Sequence, residues 1–435
     1  MNKKNRLIQL GLYGCVVAMV LFLVLNRHSR AGYFNYHSEI WSDKAGYYIY
    51  LPAALKYNFD PGNFPDSIVA KTGYGFILNQ EKGVVQTKYT YGVALMQLPF
   101  FLLADVFAPA LGYERSGFSP IYHWSINIAA AFYVLLGLFL LGNYLAAHFK
   151  PRMVYLVLFS LFLGTNLFYY AIDETGMSHV YSFALFSSYL YLLQATKFLS
   201  KASLLRLCML GIVSGLIVLI RPSNIVFLLC CFFLDASQLS DVWERIKRFS
   251  QPKILLPLLL SGFIVLLPQF IYWKYANGSF LSYSYGKEGF NWTQPRLVES
   301  WLSPYNGLLP NTPLYLIMLL SMIFMIKKRE NNGLFLLVCF IAISYIFSCW
   351  WDRAFGCAFG ARSYVEYHAL FSLALAFCYK EISFASKIKQ AGFGLLVLLI
   401  IALNLKMTYT YDGCFPGTHS WDWGAYAKII SSEPK

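Results

Sequence analysis

Charged residues are scarce in this chain of 435 amino acids. Asp, Glu, Lys and Arg make up 13% of it, whereas soluble globular domains carry about 25%, so no separate soluble domain of ordinary size is expected. The sequence also lacks the apolar–polar alternation of a membrane β-barrel. Hydrophobic residues make up 58% instead, in continuous runs long enough to cross a hydrocarbon layer of about 30 Å. The sequence therefore predicts an all-α polytopic membrane protein.

A signal-peptide cleavage site is also missing. Basic residues precede the first apolar stretch, but no small-x-small pattern follows it, so we expect an uncleaved transmembrane helix there. A further apolar stretch, 93–112, contains Asp105 and two prolines, and we interpret it as an interfacial helix. In total the sequence predicts about eleven transmembrane helices, over residues 6–26, 121–147, 154–172, 178–196, 204–220, 223–235, 253–273, 312–326, 333–349, 364–379 and 391–407.

Basic residues decide the predicted topology. With the N-terminus in the cytoplasm, the short cytoplasmic segments hold 18 of the 35 Lys and Arg residues and five of the 21 acidic residues. The longer outer segments hold the other 17 basic and 16 acidic residues. This asymmetry follows the positive-inside rule. It explains most of the net charge of +14 without a nucleic-acid partner.

The same topology sets the domain organisation. We expect one transmembrane domain over 1–407 and a short outer tail over 408–435. Two long outer segments interrupt the domain: 27–120, which carries interfacial helices, and 274–311, between the seventh and eighth transmembrane helices.

Most of the nine cysteines lie in apolar runs and are interpreted as small buried hydrophobic residues. Cys357 and Cys414 lie in polar segments instead. They could pair if their side of the membrane is oxidising.

Two acidic clusters lie in the predicted outer segments. The stretch "SDKAGYYIYLP" places Asp43 after the first helix, as a general base or a merely solvated carboxylate. Tyr47 and its neighbouring tyrosines form an interfacial belt or contact a sugar or head group. The stretch "DETGMSH" carries Asp173, Glu174 and His179, which could ligate a divalent metal although this spacing is no established metal motif. Charges this close to lipid are costly unless they serve a cavity or a site.

Basic side chains accompany these acids on the same predicted face. Arg221, in "VLIRPSN", snorkels to water or binds a phosphate bidentately. Lys287 lies in the aromatic-rich outer segment 274–311, and Arg362 lies in the glycine-rich stretch "FGCAFGARSYVE". The predicted cytoplasmic face has no comparable concentration. Together these clusters are typical of a site that binds a phosphate-bearing lipid and deprotonates an acceptor.

The order of these parts resembles the GT-C fold membrane glycosyltransferases, in particular bacterial relatives of protein O-mannosyltransferases and aminoarabinose transferases. The resemblance covers about residues 6–407, from the first helix and its long outer loop to the outer loop between helices seven and eight. Its local matches are "SDKAGYYIYLP", "KYTYGVALMQLPFFLLADVFA", "DETGMSHVYSF", "LIRPSN", "YNGLLPNTP" and "FGCAFGARSYVE".

The resemblance implies a polyprenyl-phosphate-linked sugar as donor and a glycan, lipid or protein as acceptor, on the periplasmic side of a bacterial inner membrane. It gives Asp43 the role of catalytic base and matches Asp173, with Glu174 beside it, to a second acidic site. No cofactor is implied beyond a possible divalent metal. The adjacent Asp-Glu pair of protein O-mannosyltransferases is missing, since Asp43 is followed by Lys44, which argues against a protein acceptor.

The basic residues follow from the same resemblance. Arg221 occupies the outer turn where some members bind the donor phosphate, and Arg362 and Lys287 would bind phosphate or sugar. Two alternatives stay open. A transporter or flippase of lipid-linked sugars would need charges deep in the spans, which are nearly absent here, and no internal repeat supports it. A glycan polymerase or ligase would not need the acid after the first helix.

Overall fold

Helices dominate the computed structural model, which describes residues 3–29 and 32–433, with side chains from residue 14 onward. In chain order the α-helices are α1 (Lys3–His28), α2 (Asp43–Tyr48), α3 (Tyr50–Leu55), α4 (Ile68–Lys71), α5 (Gly92–Phe107), α6 (Pro120–Ala146), α7 (Pro151–Leu163), α8 (Leu167–Ile172), α9 (His179–Ala195), α10 (Leu204–Ile220), α11 (Cys230–Phe233), α12 (Leu239–Phe249), α13 (Pro252–Asn277), α14 (Leu297–Leu302), α15 (Leu308–Asn311), α16 (Leu314–Lys327), α17 (Gly333–Ser348), α18 (His368–Ser383), α19 (Lys387–Thr410) and α20 (Trp423–Ser431).

Short elements complete the architecture. The 3-10 helices are Pro61–Asn63, Pro109–Leu111, Pro222–Leu229 and Arg362–Tyr364. Strands β1 (Ile77–Asn79) and β2 (Val84–Gln86) form an antiparallel hairpin in which Leu78 lies opposite Val85. The predicted all-α class is confirmed, with this hairpin as an addition that the sequence interpretation did not contain.

Every predicted span coincides with helical structure, and α6, α13 and α19 are long and apolar enough to cross a membrane by length and composition. Two predicted spans differ from single continuous α-helices. The span 154–172 is interrupted, since α7 ends at Leu163 and α8 begins at Leu167. Asn404 donates from Nδ2 to the carbonyls of Leu163 and Thr165, at 2.8 and 2.9 Å, so the carbonyls that the break releases remain hydrogen-bonded. The span 223–235 is mostly 3-10 helix after Pro222.

The chain divides into two compact units. Unit 1 comprises Met1–Leu136, Tyr170–Tyr181 and Trp273–Ser284. It contains most of the predicted first outer segment, which is a packed structure held by its own side chains. The hairpin is fastened to the end of α13, where Val85 donates its backbone N–H to the Tyr275 hydroxyl at 3.0 Å.

Tyrosines form much of the interior of unit 1. Tyr48 donates its hydroxyl to the carbonyl of Gly117 and Tyr50 donates to that of Tyr89, both at 2.6 Å. Tyr47 is buried, with its ring centroid 4.2 Å from that of Tyr89. All three side chains are packed inside the unit, and a contact of Tyr47 with a sugar or head group stays a prediction.

Unit 2 comprises Gly137–Tyr169, Ser182–Tyr272 and Tyr285–Lys435. Helices α10 and α13 approach closely at small residues: a Cβ placed on Gly211 would lie 2.4 Å from the carbonyl oxygen of Leu258. Small residues at such crossings allow two apolar helices to pack backbone against backbone.

Two further helices were not expected. The amphipathic helix α12 lies in the predicted cytoplasmic segment after 223–235, and α20 lies in the predicted tail. The Tyr426 hydroxyl of α20 donates to the carbonyl of Pro310 at 2.6 Å. A disulfide joins Cys357 to Cys414. The sequence left this pairing open. Residues 408–433 are a folded part of unit 2.

Candidate functional site

Asp43 is the first residue of α2 and follows a strained residue. Ser42 has φ 49° and ψ −122°, a positive φ that favours glycine and costs a side-chain-bearing residue on the order of 1–3 kcal/mol. The backbone N–H of Ser42 donates to the carbonyl of Thr72 at 2.8 Å, and the N–H of Gly46 donates to the carbonyl of Ser42 at 3.0 Å. Asp43 itself is partly exposed. Surrounding structure thus fixes the backbone that presents this carboxylate.

The segment between α8 and α9 lies against this part of the chain. Lys44, next to Asp43, places its Nζ 3.1 Å from Glu174 Oε2. Arg27, at the end of α1, donates from Nε to Asp173 Oδ1. The structure therefore brings the first acidic stretch and the second together inside unit 1.

The Glu174 carboxyl differs electrostatically from an exposed one. Burial raises its pKa, and the neighbouring Asp173 carboxylate raises it further, while Lys44 opposes both effects. A carboxyl group with a raised pKa can hold or transfer a proton nearer neutral pH than an ordinary glutamate.

Glu39 is the most enclosed carboxylate of this region, with 3% of its surface exposed. His123 Nδ1 lies 2.7 Å from its Oε2, and His28 Nδ1 lies 2.7 Å from its Oε1. Asn127 donates from Nδ2 to Oε1 at 2.6 Å. Burial alone would raise the pKa of Glu39, but the contacts with His123 and His28 hold it well below the usual value. Glu39 is therefore a buried carboxylate that its surroundings keep ionised.

Two of the three residues suggested for a metal contact basic side chains, and a metal site stays a prediction. Asp173 pairs with Arg27 and Glu174 pairs with Lys44. His179 is buried at the start of α9, with its ring centroid 4.5 Å from that of Tyr170. Within residues 3–29 and 32–433, no group of three His, Cys, Asp or Glu side chains is arranged to hold a metal ion.

The predicted phosphate-binding residues belong to unit 2. Arg221 ends α10, and its Nη1 donates to Oε1 of the fully buried Glu366 at 3.2 Å. Asn224 lies 3.4 Å from the same oxygen. Arg362 begins a 3-10 turn, with its guanidinium carbon 6.0 Å from the centroid of the Phe355 ring. Lys287 is exposed in a turn. That Asp43, Asp173, Arg221 and Arg362 share one cavity stays a prediction.

Sequence reasoning missed several residues of these clusters. Glu39, His28, His123 and Asn127 are not among the sequence candidates, because they lie far apart in the chain and follow no motif. Arg27, Lys44 and Glu366 were likewise given no partner. One signal was present: His28 and His123 are two of only seven histidines, and each lies at the end of a predicted transmembrane helix.

Comparisons with known proteins identify the fold. No protein-family model matches the chain, and no curated protein matches it in sequence. The structure of ArnT from Cupriavidus metallidurans bound to undecaprenyl phosphate is similar, with a TM-score of 0.56 and 13% identity over 97% of this chain and 69% of that chain. The apo structure of the same protein gives 0.55 and 12%, over 98% and 69%. Oligosaccharyltransferase structures from Archaeoglobus fulgidus give TM-scores of 0.46 and 0.47. The chain therefore has the GT-C fold of polytopic membrane glycosyltransferases.

Proposed function

We propose that this protein is a membrane glycosyltransferase that moves a sugar from a polyprenyl-phosphate carrier to an acceptor outside the cytoplasm. The observation that carries the proposal is the cluster of carboxylates in unit 1. Asp43 follows a strained backbone, and Asp173 and Glu174 are joined to the same region through Arg27 and Lys44. The chain that carries this cluster is similar in structure to ArnT, which binds undecaprenyl phosphate.

Each carboxylate of the cluster has one role in the proposed reaction. Asp43 takes the proton of an acceptor hydroxyl, whose oxygen then attacks the anomeric carbon of the donor sugar. The bond between that carbon and the phosphate oxygen breaks, and polyprenyl phosphate leaves with the electron pair. Asp173 and Glu174 orient the acceptor from the neighbouring segment. Asp173 is paired with Arg27, and Glu174 is paired with Lys44. These pairings argue against a metal-dependent reaction.

The leaving phosphate needs positive charge held in place. Arg221 meets this need, because the buried Glu366 fixes its guanidinium and a preorganised cation stabilises developing charge without reorganisation. Arg362 and Lys287 supply further positive charge. Glu366 is part of this proposal because its buried carboxylate contacts the Arg221 guanidinium.

We assign the reaction to the periplasmic side of a bacterial inner membrane. The positive-inside distribution supports this orientation. The Cys357–Cys414 disulfide supports it as well, because disulfides persist in oxidising compartments. Both cysteines lie in segments that the topology puts outside.

The test separates donor binding from transfer. Purified protein in vesicles is first titrated with undecaprenyl phosphate. Labelled undecaprenyl-phosphate-linked sugars are then supplied with cell-envelope fractions as acceptors, and release of undecaprenyl phosphate is measured. We expect Arg221→Ala to weaken binding and Asp43→Asn to lower transfer by at least roughly a hundredfold with binding retained. Asp66→Asn, which changes an exposed carboxylate of the same unit, serves as control.

Two results would reject the proposal. Transfer by Asp43→Asn at the wild-type rate would remove Asp43 as the base. Movement of the intact lipid-linked sugar across the vesicle membrane, with no sugar transferred, would favour the transporter alternative instead.

A further inference from the structure

Three side chains contact the Glu39 carboxylate, and they come from two helices of unit 1. His28 is the last residue of α1, while His123 and Asn127 lie in the first turns of α6. Their contacts with the two carboxylate oxygens measure between 2.6 and 2.7 Å. A buried carboxylate that accepts hydrogen bonds from His123 and Asn127 and lies against His28 is held in one position and in the ionised state.

Two of these partners also reach the segment that carries Asp173 and Glu174. His28 donates from Nε2 to the carbonyl of Ile172 at 3.0 Å. Asn127 accepts at Oδ1 a hydrogen bond from the Thr175 hydroxyl at 2.7 Å. Glu39 is thus connected, through one intervening side chain on each side, to the residue before Asp173 and to the residue after Glu174.

The backbone packing repeats this connection. A Cβ on Gly176 would lie 2.5 Å from the carbonyl oxygen of Glu39 and 2.9 Å from Cβ of Lys44. Only a glycine permits the 173–176 segment to approach so closely. Three residues lie between Glu39 and Asp43, and the first of them, Ile40, is fully buried.

From this arrangement we infer that Glu39 is a positioning residue for both acidic segments, and that His28 and Asn127 are the two arms through which it acts. The inference rests on the proposed function for the use of the site, since it takes Asp43 and Asp173 as groups that meet the substrates. Glu39 does not touch the substrates. Its buried negative charge sets the distance between the start of α2 and the loop before α9.

A purely structural role does not account for the choice of residues. Replacing a buried ionic group by apolar side chains of similar volume is often neutral or stabilising, so packing alone gives no reason for a glutamate at this place. Directional hydrogen bonds to a single carboxylate fix several segments relative to one another, and a reaction between two bound molecules needs such fixation.

The test measures local order without substrate and then catalysis. Hydrogen–deuterium exchange is followed by mass spectrometry on peptides covering 42–50 and 172–178, in the full-length protein in vesicles. Glu39→Gln keeps the shape and removes the charge. We expect exchange in both peptides to accelerate by roughly tenfold or more. Glu39→Asp retains the charge and should restore part of the protection.

The matched control is Asp105→Asn. Asp105 is a buried carboxylate of the same unit that contacts Lys56, Arg115 and Tyr122, and its loss should not accelerate exchange in the two peptides. Thr175→Val provides a milder variant should Glu39→Gln not fold. It removes one hydroxyl at the far end of the network, and exchange should rise in 172–178 while 42–50 stays protected.

Sugar transfer supplies the second readout. We expect Glu39→Gln to lower kcat by roughly 10- to 100-fold while KM stays within about threefold, because the reacting groups are displaced and donor binding is retained. If the wild-type protein transfers no sugar, the proposed function fails, and the exchange comparison still decides the inference. Unchanged exchange in Glu39→Gln would overturn it. So would an equal acceleration in Asp105→Asn, since that result would indicate general destabilisation.

Discussion

The disulfide between Cys357 and Cys414 gives a quantitative test of both stability and topology. The bond closes a loop with a sequence separation of 57. In the chain-entropy model a loop of this length removes about 14 cal/mol/K from the unfolded chain, which corresponds to about 4 kcal/mol at 25 °C. This value is an upper limit, because residual structure in the unfolded chain lowers the stabilisation that a disulfide delivers.

The assay is thermal denaturation of the purified protein with and without a reductant, for the wild type and for Cys357→Ser. Reduction should lower the Tm of the wild type to that of Cys357→Ser and should leave the variant unchanged. Alkylation of unreduced protein taken directly from cells should spare Cys357 and Cys414 and modify accessible free cysteines. Labelling of both residues in unreduced protein would refute the outer placement of these segments. A Tm insensitive to reductant would refute the stability estimate.

Three further outcomes follow from particular contacts. Gly211→Ala should lower the free energy of unfolding by roughly 1–3 kcal/mol, because the added methyl group would meet the carbonyl of Leu258, whereas Gly392→Ala, in α19 with nothing within 4 Å, should not destabilise. Arg221→Lys should weaken undecaprenyl phosphate binding by roughly tenfold, since lysine keeps the charge and loses the planar fork; equal affinity would contradict a bidentate contact. The lowered pKa of Glu39 implies a stabilising contribution that is complete above about pH 4.5 and is lost as pH falls through the lowered pKa. The Tm difference between wild type and Glu39→Gln should therefore narrow as the pH falls below about pH 4.

The sequence predicted the helical elements well because each apolar run is long and continuous. The interruption of the span 154–172 was not predicted, because it depends on a side chain far away in the chain. Gly164 and Asn166 permit an interruption between α7 and α8 only because Asn404, more than 200 residues away, accommodates the released carbonyls. A hydropathy profile considers neighbouring residues only and therefore cannot include the effect of such a distant side chain. The helix α12 was missed because its apolar residues are too few for a span, although Gln238 and Asp241 form a capping box at its start.

The site was predictable where its chemistry is local in sequence and unpredictable where it is not. Asp43, Asp173 and Glu174 stand out because carboxylates are rare beside apolar runs. Their partners Arg27 and Lys44 carry ordinary charges that a solvated loop would also contain. Only the folded chain shows that these cations meet carboxylates of the other segment.

Unit 1 contains buried charged side chains that add little to the stability of the fold. Glu39 and Asp173 are buried, and each is matched by a basic side chain, His28 or Arg27. Desolvating such pairs costs about as much as their attraction returns, so they add little net stability to the fold. A polytopic protein with 58% hydrophobic residues could fill this volume with apolar side chains. The ionic contacts fix the orientation of the groups they join, because a hydrogen bond is directional, whereas apolar packing would leave that orientation adjustable. Since all of them converge on the segments that carry Asp43 and Asp173, the simplest account is that the protein maintains a fixed geometry for a reaction there.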